Sequence, residues 1–397
     1  MTLHRKWFYD HVAQTSEMAL GLEVARGEGV FLFDTDGKKY FDLNSGISVS
    51  SLGHRHPRVI HRVKQQLDQY LHTMVYGEHI QTPQVEYARL LTKVLNNHLD
   101  NIYFVNSGSE AVEAAMKLAR KYTGRQEIIS AAGAYHGSTL GSESLRSDIE
   151  FIKHYAPAVP GIRHIRFNHE EDFEKITRKT ACVILEPVQA EGGIIPPENN
   201  YLQKLEKRCR ETGTLLVLDE IQTGFGRTGF FFAFQKYGVS PDILLMAKGM
   251  GGGMPIGGLA AKREVMRVFA SHPPLGHITT FGGHPVCVAG ALGALEVLSE
   301  DDIICHVSKK EDIFRKRLHH PLIKEIRSSG LFMAVVLCEA KWLTPVISLL
   351  FKNGIIVDYF LFCHDAFRIA PPLTISEAEI HAACDGILMT LDTVSAS

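Results

Sequence analysis

Ile243-Leu244-Leu245-Met246-Ala247-Lys248-Gly249-Met250-Gly251-Gly252-Gly253 runs from an apolar stretch onto one lysine and a cluster of glycines. Ile243 to Met246 reads as a buried strand, and the glycines behind Lys248 let the backbone turn sharply or approach a ligand closely. A lysine at the end of an apolar strand is costly to desolvate unless it has a partner or has lost its charge. It is then either a side chain that snorkels to the surface or a nucleophilic amine with a depressed pKa. What the other strands end on decides between the two.

Those strands lie upstream. Residues 85–260 alternate short apolar strands with helical periodicity: Ile102 to Val105, Glu127 to Ser130, Ile162 to Phe167, Cys182 to Leu185, Leu215 to Leu218 and Ile243 to Met246, with helices at Tyr87 to Leu95, Ser109 to Tyr122, 170–178 and 200–212. Strands that are apolar without alternation and are separated by helices imply an α/β protein, its mostly parallel sheet covered on both faces. In such sheets the ligand sits beyond the carboxyl ends of the strands.

The segments after those ends carry chemistry. Asn106-Ser107-Gly108-Ser109-Glu110-Ala111 opens a helix whose free N–H groups can hold a phosphate, though Ser followed by Glu is also an ordinary cap. Tyr135-His136-Gly137 sets an aromatic beside glycine. Glu186-Pro187-Val188-Gln189-Ala190-Glu191-Gly192-Gly193 brings two carboxylates, and Asp219-Glu220-Ile221-Gln222-Thr223-Gly224 brings an Asp. The strand ending at Phe167 adds nothing readable. A phosphate cradle, an aromatic, carboxylates, an Asp and a Lys together match what pyridoxal 5'-phosphate needs. The lysine holds its aldehyde, a carboxylate keeps its ring nitrogen protonated, and a helix N-terminus holds its phosphate.

At the N-terminal side, Gly29 to Asp34 and Lys39 to Leu43 flank Thr35-Asp36-Gly37, a hairpin signal. Pro57 to Leu71 has helical periodicity. Past residue 260, His277 to Pro285 forms a loop before a long helix, Val286 to Leu298. Helices near 301–318, strands near 325–338 and 355–360, and a last helix from Ser376 follow. Arg368, in an apolar strand, is either an ion-pair partner or a carboxylate receptor.

Composition narrows the class. The 397 residues are 45% hydrophobic and 22% charged, with a formal net charge of −2, which gives no electrostatic footprint for nucleic acid or an acidic membrane. No window reaches the length of a membrane span and the N-terminus lacks an apolar core for export, so a cytoplasmic protein is expected. The 7 cysteines are scattered without a CxxC pair, as in a reducing compartment. Among the 20 histidines, His54-x-His56 and His319-His320 lack further ligands at zinc spacing, and no metal site is expected.

On these motifs, with Thr280-Phe281-Gly282-Gly283 and Phe367-Arg368-Ile369-Ala370-Pro371-Pro372, the chain resembles the class III (omega) aminotransferases over about Gly29 to Ile380, most closely the acetylornithine and ornithine branch. The resemblance implies the pyridoxal-phosphate fold type I: a large domain (51–285) with a mostly parallel seven-stranded sheet, and a small α/β domain built from both termini (1–50 and 286–397). It implies Lys248 as the Schiff-base lysine and proton carrier, and Asp219 as the partner of the ring nitrogen. Tyr135 and Ile221 would sandwich the ring, and Gln222 would bond its phenolic oxygen. Gly108 and Ser109 would hold the phosphate, joined by Thr280 from the other subunit of a homodimer. Ser107, His136 and Glu186 would complete the cofactor site. For substrate it implies the switch pair Glu191 and Arg368, with Tyr76, Ser138 and Thr279 beside them, and transfer of a terminal amine to an oxoacid such as 2-oxoglutarate.

One position departs from the family. Relatives carry an arginine for a second carboxylate where this chain has Ser138; either Arg146 or Arg166 replaces it, or the substrate differs. Another pyridoxal phosphate reaction on the same fold would use the same Lys and Asp. A nucleotide loop at Gly249 to Gly253 is a poorer reading, because Gly251-x-Gly253-x-x-Ile256 lacks the third glycine.

Overall fold

A computed structural model describes residues 2–17, 19–95, 99–300 and 302–396. Three strands come first: β1 (Val24–Glu28), β2 (Phe31–Asp34) and β3 (Lys39–Asp42). Seven follow: β4 (Asn101–Val105), β5 (Glu127–Ala131), β6 (Ile162–Ile165), β7 (Thr180–Leu185), β8 (Leu215–Asp219), β9 (Ile243–Met246) and β10 (Gly257–Ala261). The last five are β11 (Ile323–Ser328), β12 (Met333–Leu337), β13 (Ile355–Ile356), β14 (Asp358–Tyr359) and β15 (Ala366–Ile369).

The central sheet has seven strands in the order β4-β10-β9-β8-β7-β5-β6. Pairing is parallel through β9-β8-β7-β5-β6, whereas β10 runs antiparallel to both its neighbours, β4 and β9. Every residue of β7, β8 and β9 is buried, which is why these strands are continuously apolar instead of alternating. Two core layers result, one on each face. Leu218, Leu244 and Met246 face one, while Val217, Ile243 and Leu245 face the helix Gly108–Thr123 in the other.

Two smaller sheets flank it. β2 and β3 form the expected hairpin (Leu32 opposite Tyr40), its turn held by Asp34 Oδ1 accepting from Asp36 N at 3.0 Å and Lys38 N at 2.8 Å. β3 also pairs in parallel with β13, tying the N-terminal hairpin to the chain's far end. The other sheet runs β11-β12-β15-β14. The final helix, Glu377–Ser395, starts on a capping box in which Ser376 and Glu379 bond reciprocally.

The sequence reading and the structure differ at several elements. β10 is absent from the six strands read above because Gly257-Gly258-Leu259-Ala260-Ala261 has little β-propensity. The glycine is needed there: a Cβ on Gly257 would lie 2.2 Å from the Ser107 carbonyl oxygen. The helix expected at 170–178 is a 3₁₀ segment, Glu170–Lys175, and the helix from Pro57 ends at Leu67, where Gln66 Nε2 donates to Tyr70 O at 2.9 Å. The 325–338 strand is two antiparallel strands, β11 and β12. Among the described residues no helix is long and apolar enough to cross a membrane.

Candidate active site

The end of β4 runs straight into the helix Gly108–Thr123. Ser107 Oγ caps it by accepting from Glu110 N at 3.2 Å, and the Glu110 carboxylate accepts from Asn106 N at 2.8 Å. The loop after β5 closes over this helix start. Gly137 has φ +124°, and a Cβ there would fall 2.1 Å from Ser109 Oγ. That hydroxyl accepts from Ser138 N at 3.3 Å. The two strand ends thereby present the helix's first N–H groups to one cavity of about 430 Å³.

Ten expected residues line that cavity: Ser107, Gly108 and Ser109 from the helix start, Tyr135 and His136 from the β5 loop, Glu186 after β7, Asp219, Ile221 and Gln222 at the end of β8, and Lys248 after β9. Asp219 is fixed from both oxygens. Oδ2 lies 2.7 Å from His136 Nδ1, and Oδ1 accepts from Ile221 N at 3.0 Å. Lys248 is partly buried and sits at φ +47°, a left-handed conformation uncommon for a residue with a side chain. Burial, and then the Arg368 guanidinium, pull its amine down to about 8, against the opposing carboxylates of Glu191, Asp219 and Glu186. The snorkelling alternative is thus excluded. Burial, together with the Asp219 charge, raises the Glu186 carboxyl well above the usual carboxylate range.

A larger chamber of about 1030 Å³ shares Tyr135, Gln222 and Lys248 with this cavity and reaches Ser138, Glu191 and Arg368. At its wall Arg368 Nη2 donates to Glu191 Oε1 at 2.6 Å, with side chains 1% and 7% exposed. Glu191 Oε2 accepts from Leu361 N at 3.1 Å, and Gln222 bridges the pair with 3.4 Å contacts to both. The Tyr135 hydroxyl lies 3.0 Å from Ser138 Oγ.

Three expected residues stand apart within this one chain. Thr280 is exposed and lines neither space, and Tyr76 lines a separate cavity with Tyr103 and His277. Thr279 Oγ1 accepts from Asn106 Nδ2 at 3.3 Å, beside the helix start but outside the cavity lining. Of the two arginines offered in place of Ser138, Arg146 lines the chamber, whereas Arg166 is 55% exposed and held by Asp172 at 3.0 Å elsewhere. Sequence reasoning missed Asp358, Glu143 and the Met254-Pro255-Ile256 wall. Asp358 had a readable signal: like Lys248 it is a lone charge in an apolar run, Ile355 to Phe360.

The residues fit pyridoxal phosphate. The helix start is a phosphate cradle, Asp219 is a fixed carboxylate for a ring nitrogen, and Lys248 is a partly buried amine. Two buried atoms in the lining, His136 Nε2 and Glu186 Oε2, have no hydrogen-bond partner in the protein itself, as expected where a polar ligand completes the site.

Comparison with known proteins gives the same direction. A family model described as Aminotransferase class-III matches residues 11–391. An acetylornithine aminotransferase of Archaeoglobus fulgidus is 36% identical, covering 92% of this chain and 94% of its own. A [LysW]-aminoadipate semialdehyde/glutamate semialdehyde transaminase of Sulfurisphaera tokodaii is 37% identical over 79% of this chain and 81% of its own. Among solved structures, an ornithine aminotransferase from Toxoplasma gondii superposes with a TM-score of 0.91 at 29% identity, covering 98% of this chain and 94% of that one.

Proposed function

We propose that this chain, which belongs to the class III aminotransferases and is a pyridoxal-phosphate-dependent transaminase, moves the terminal amino group of an ornithine-like donor, such as acetylornithine, to 2-oxoglutarate. The observation that carries the reading is the junction at Lys248. Lys248 lines both the cavity of Asp219 and the chamber of Arg368, so one residue would serve cofactor and substrate together.

The residues take these roles. Gly108 and Ser109 would hold the phosphate, with Ser107 capping the helix behind them, and Tyr135 and Ile221 would flank the ring. Gln222 would bond the ring oxygen, and Asp219, steadied by His136, would keep the ring nitrogen protonated, with Glu186 beside it. When bound, the cofactor supplies an electron sink for the carbon that loses its proton. Lys248 would carry that proton from the donor carbon to the cofactor in the first half-reaction, and would carry one the opposite way, from the cofactor to the acceptor carbon, in the second. Glu191 masks Arg368 while a terminal amine is bound, and unmasks it for the carboxylate of the oxoacid. Thr280, exposed on this chain, serves the site of a second copy in a homodimer, and Tyr76 and Thr279 act at the same boundary. The seven free cysteines suit a cytoplasmic enzyme.

A second reading keeps the reaction and changes the donor to ornithine, lysine, 4-aminobutyrate or a diamine. Within it Ser138 favours a diamine, the one of these donors without a carboxylate, since no arginine stands at that position to grip one. A panel of these amines with acetylornithine and succinylornithine, each tried with 2-oxoglutarate and with pyruvate, separates the two. Transfer from terminal amines supports the reading, and a protein active only on α-amino groups defeats it.

A further inference from the structure

Asp358 stands on the edge strand β14, directly across from Arg368 on β15, and lines the chamber that Lys248 and Ser138 also line. Its Oδ2 lies 4.0 Å from Arg368 Nη1, whereas Glu191 takes the other terminal nitrogen, Nη2. Arg368 therefore faces two carboxylates. They differ in access: the Asp358 side chain is 23% exposed, against 7% for Glu191.

They also differ in how they are held. Glu191 lies in the loop after β7 and reaches Arg368 along a long side chain. Asp358 has a short side chain on a paired strand, and its Oδ1 accepts from Tyr359 N at 2.9 Å, which fixes its rotamer. A carboxylate that displaces Glu191 still meets Asp358. Burial holds the Asp358 carboxyl above its usual range despite the opposing pull of Arg368, so the existing countercharge does not fully satisfy it.

The chamber's other guanidinium offers no relief. Arg146 donates to Asp148 through Nε at 3.1 Å and Nη2 at 3.0 Å, and to Glu143 through Nη1 at 3.2 Å. Its plane lies 3.9 Å from the Phe151 ring centre. Each arginine in this chamber is outnumbered by the carboxylates around it, and like charges brought together in a partly desolvated site repel strongly.

We propose that Asp358 is a specificity-determining residue of the amino-group transfer: a fixed negative charge beside Arg368 that disfavours any substrate presenting a carboxylate there. Donors then enter by an amine end with no carboxylate next to it, and oxoacid acceptors bind more weakly than a bare Arg368 would hold them. The inference rests on the reading that Arg368 receives the acceptor carboxylate.

The test uses the cofactor-loaded enzyme as wild type and as the Asp358→Asn and Asp358→Ser variants, each checked for folding by circular dichroism. Two quantities are measured: the dissociation constant of glutarate, a non-reacting dicarboxylate, and KM with kcat for 2-oxoglutarate and pyruvate. Removing the charge should tighten glutarate binding about tenfold and lower KM for the oxoacids by a similar factor, with kcat moving less than KM. Unchanged glutarate and oxoacid constants in a folded variant, from a wild type that turns over, overturn the role of Asp358 alone. A wild type that binds no glutarate and aminates no oxoacid overturns both the inference and the reading beneath it.

Discussion

Arg368 on β15 and Glu191 after β7 form an ion pair at 2.6 Å with both side chains almost wholly enclosed, between strands that belong to different sheets. Such a pair is strongly destabilised by loss of one member, because the other charge stays buried. It also closes the most deeply placed positive group of the chamber. Both properties can be measured.

Glu191→Ala should lower thermal stability, by an amount below the roughly 3–5 kcal/mol typical of a broken buried pair, since Asp358 stays near the guanidinium. The same variant should raise kcat/KM for α-amino acids relative to terminal amines by about tenfold or more, because the arginine is permanently open to a carboxylate. Parallel steady-state assays with one donor of each kind measure this. An unchanged ratio removes Glu191 from its masking role.

Asp219→Asn keeps a side-chain oxygen for the Ile221 N–H but removes the charge proposed to face the ring nitrogen. Turnover should drop about 10²–10³-fold, the scale seen when one pre-organised electrostatic group is deleted, while the cofactor co-elutes with the protein on gel filtration. A near-normal rate would show that Asp219 does not hold the ring proton.

Lys248 should lose its proton at about 8, where burial and Arg368 place it, instead of near the ordinary lysine value of 10.5. In cofactor-free protein, labelling of this amine by a small amine-selective reagent, read by peptide mass spectrometry, should rise with pH through about 8. A half-point near that of an ordinary surface lysine contradicts the assignment. Lys248→Ala should abolish turnover, and borohydride should no longer fix cofactor to the chain.

Glu220, next to Asp219, is wholly buried. Burial raises its carboxyl to about 7, although it accepts hydrogen bonds from Ala233 N, Phe234 N and the Thr223 hydroxyl. The folded state binds this proton more tightly than the unfolded chain does, so the stability it contributes is complete below about 4.5 and disappears as pH rises through about 7. That amounts to something on the order of 3–4 kcal/mol. Glu220→Gln should flatten the pH dependence of chemical denaturation across this window, at the cost of one backbone N–H left facing an amide. An unaltered slope would assign the titration to another group.

Much of the site was legible before any coordinates. Lys248 and Asp219 declared themselves as charges at the ends of apolar strands, and Ser107 to Ser109 as the opening of a helix just beyond one. Local propensity and burial cost write such signals into neighbouring residues. β10 was not legible, since its glycines and alanines serve the packing of β4 and β9, and only the neighbouring backbone shows why no side chain fits. The hairpin and the capped last helix were readable because short-range hydrogen bonds set them.

The sequence alone determined the α/β class, the candidate lysine and the candidate cofactor, because a desolvated charge after a buried strand has few physical explanations. Tertiary structure decided the rest. It brought Asp358 and Glu191, 167 positions apart, to the two terminal nitrogens of Arg368. It sent Arg166 away to Asp172 and kept Arg146 in the chamber, already engaged by Glu143 and Asp148. Whether a guanidinium is free or neutralised depends on which carboxylates the sheets deliver to it, and spacing along one chain does not encode that. The opening stretch gains its meaning in the same way: Lys248, just past the end of β9, lines both the cavity that holds Asp219 and the chamber that holds Arg368.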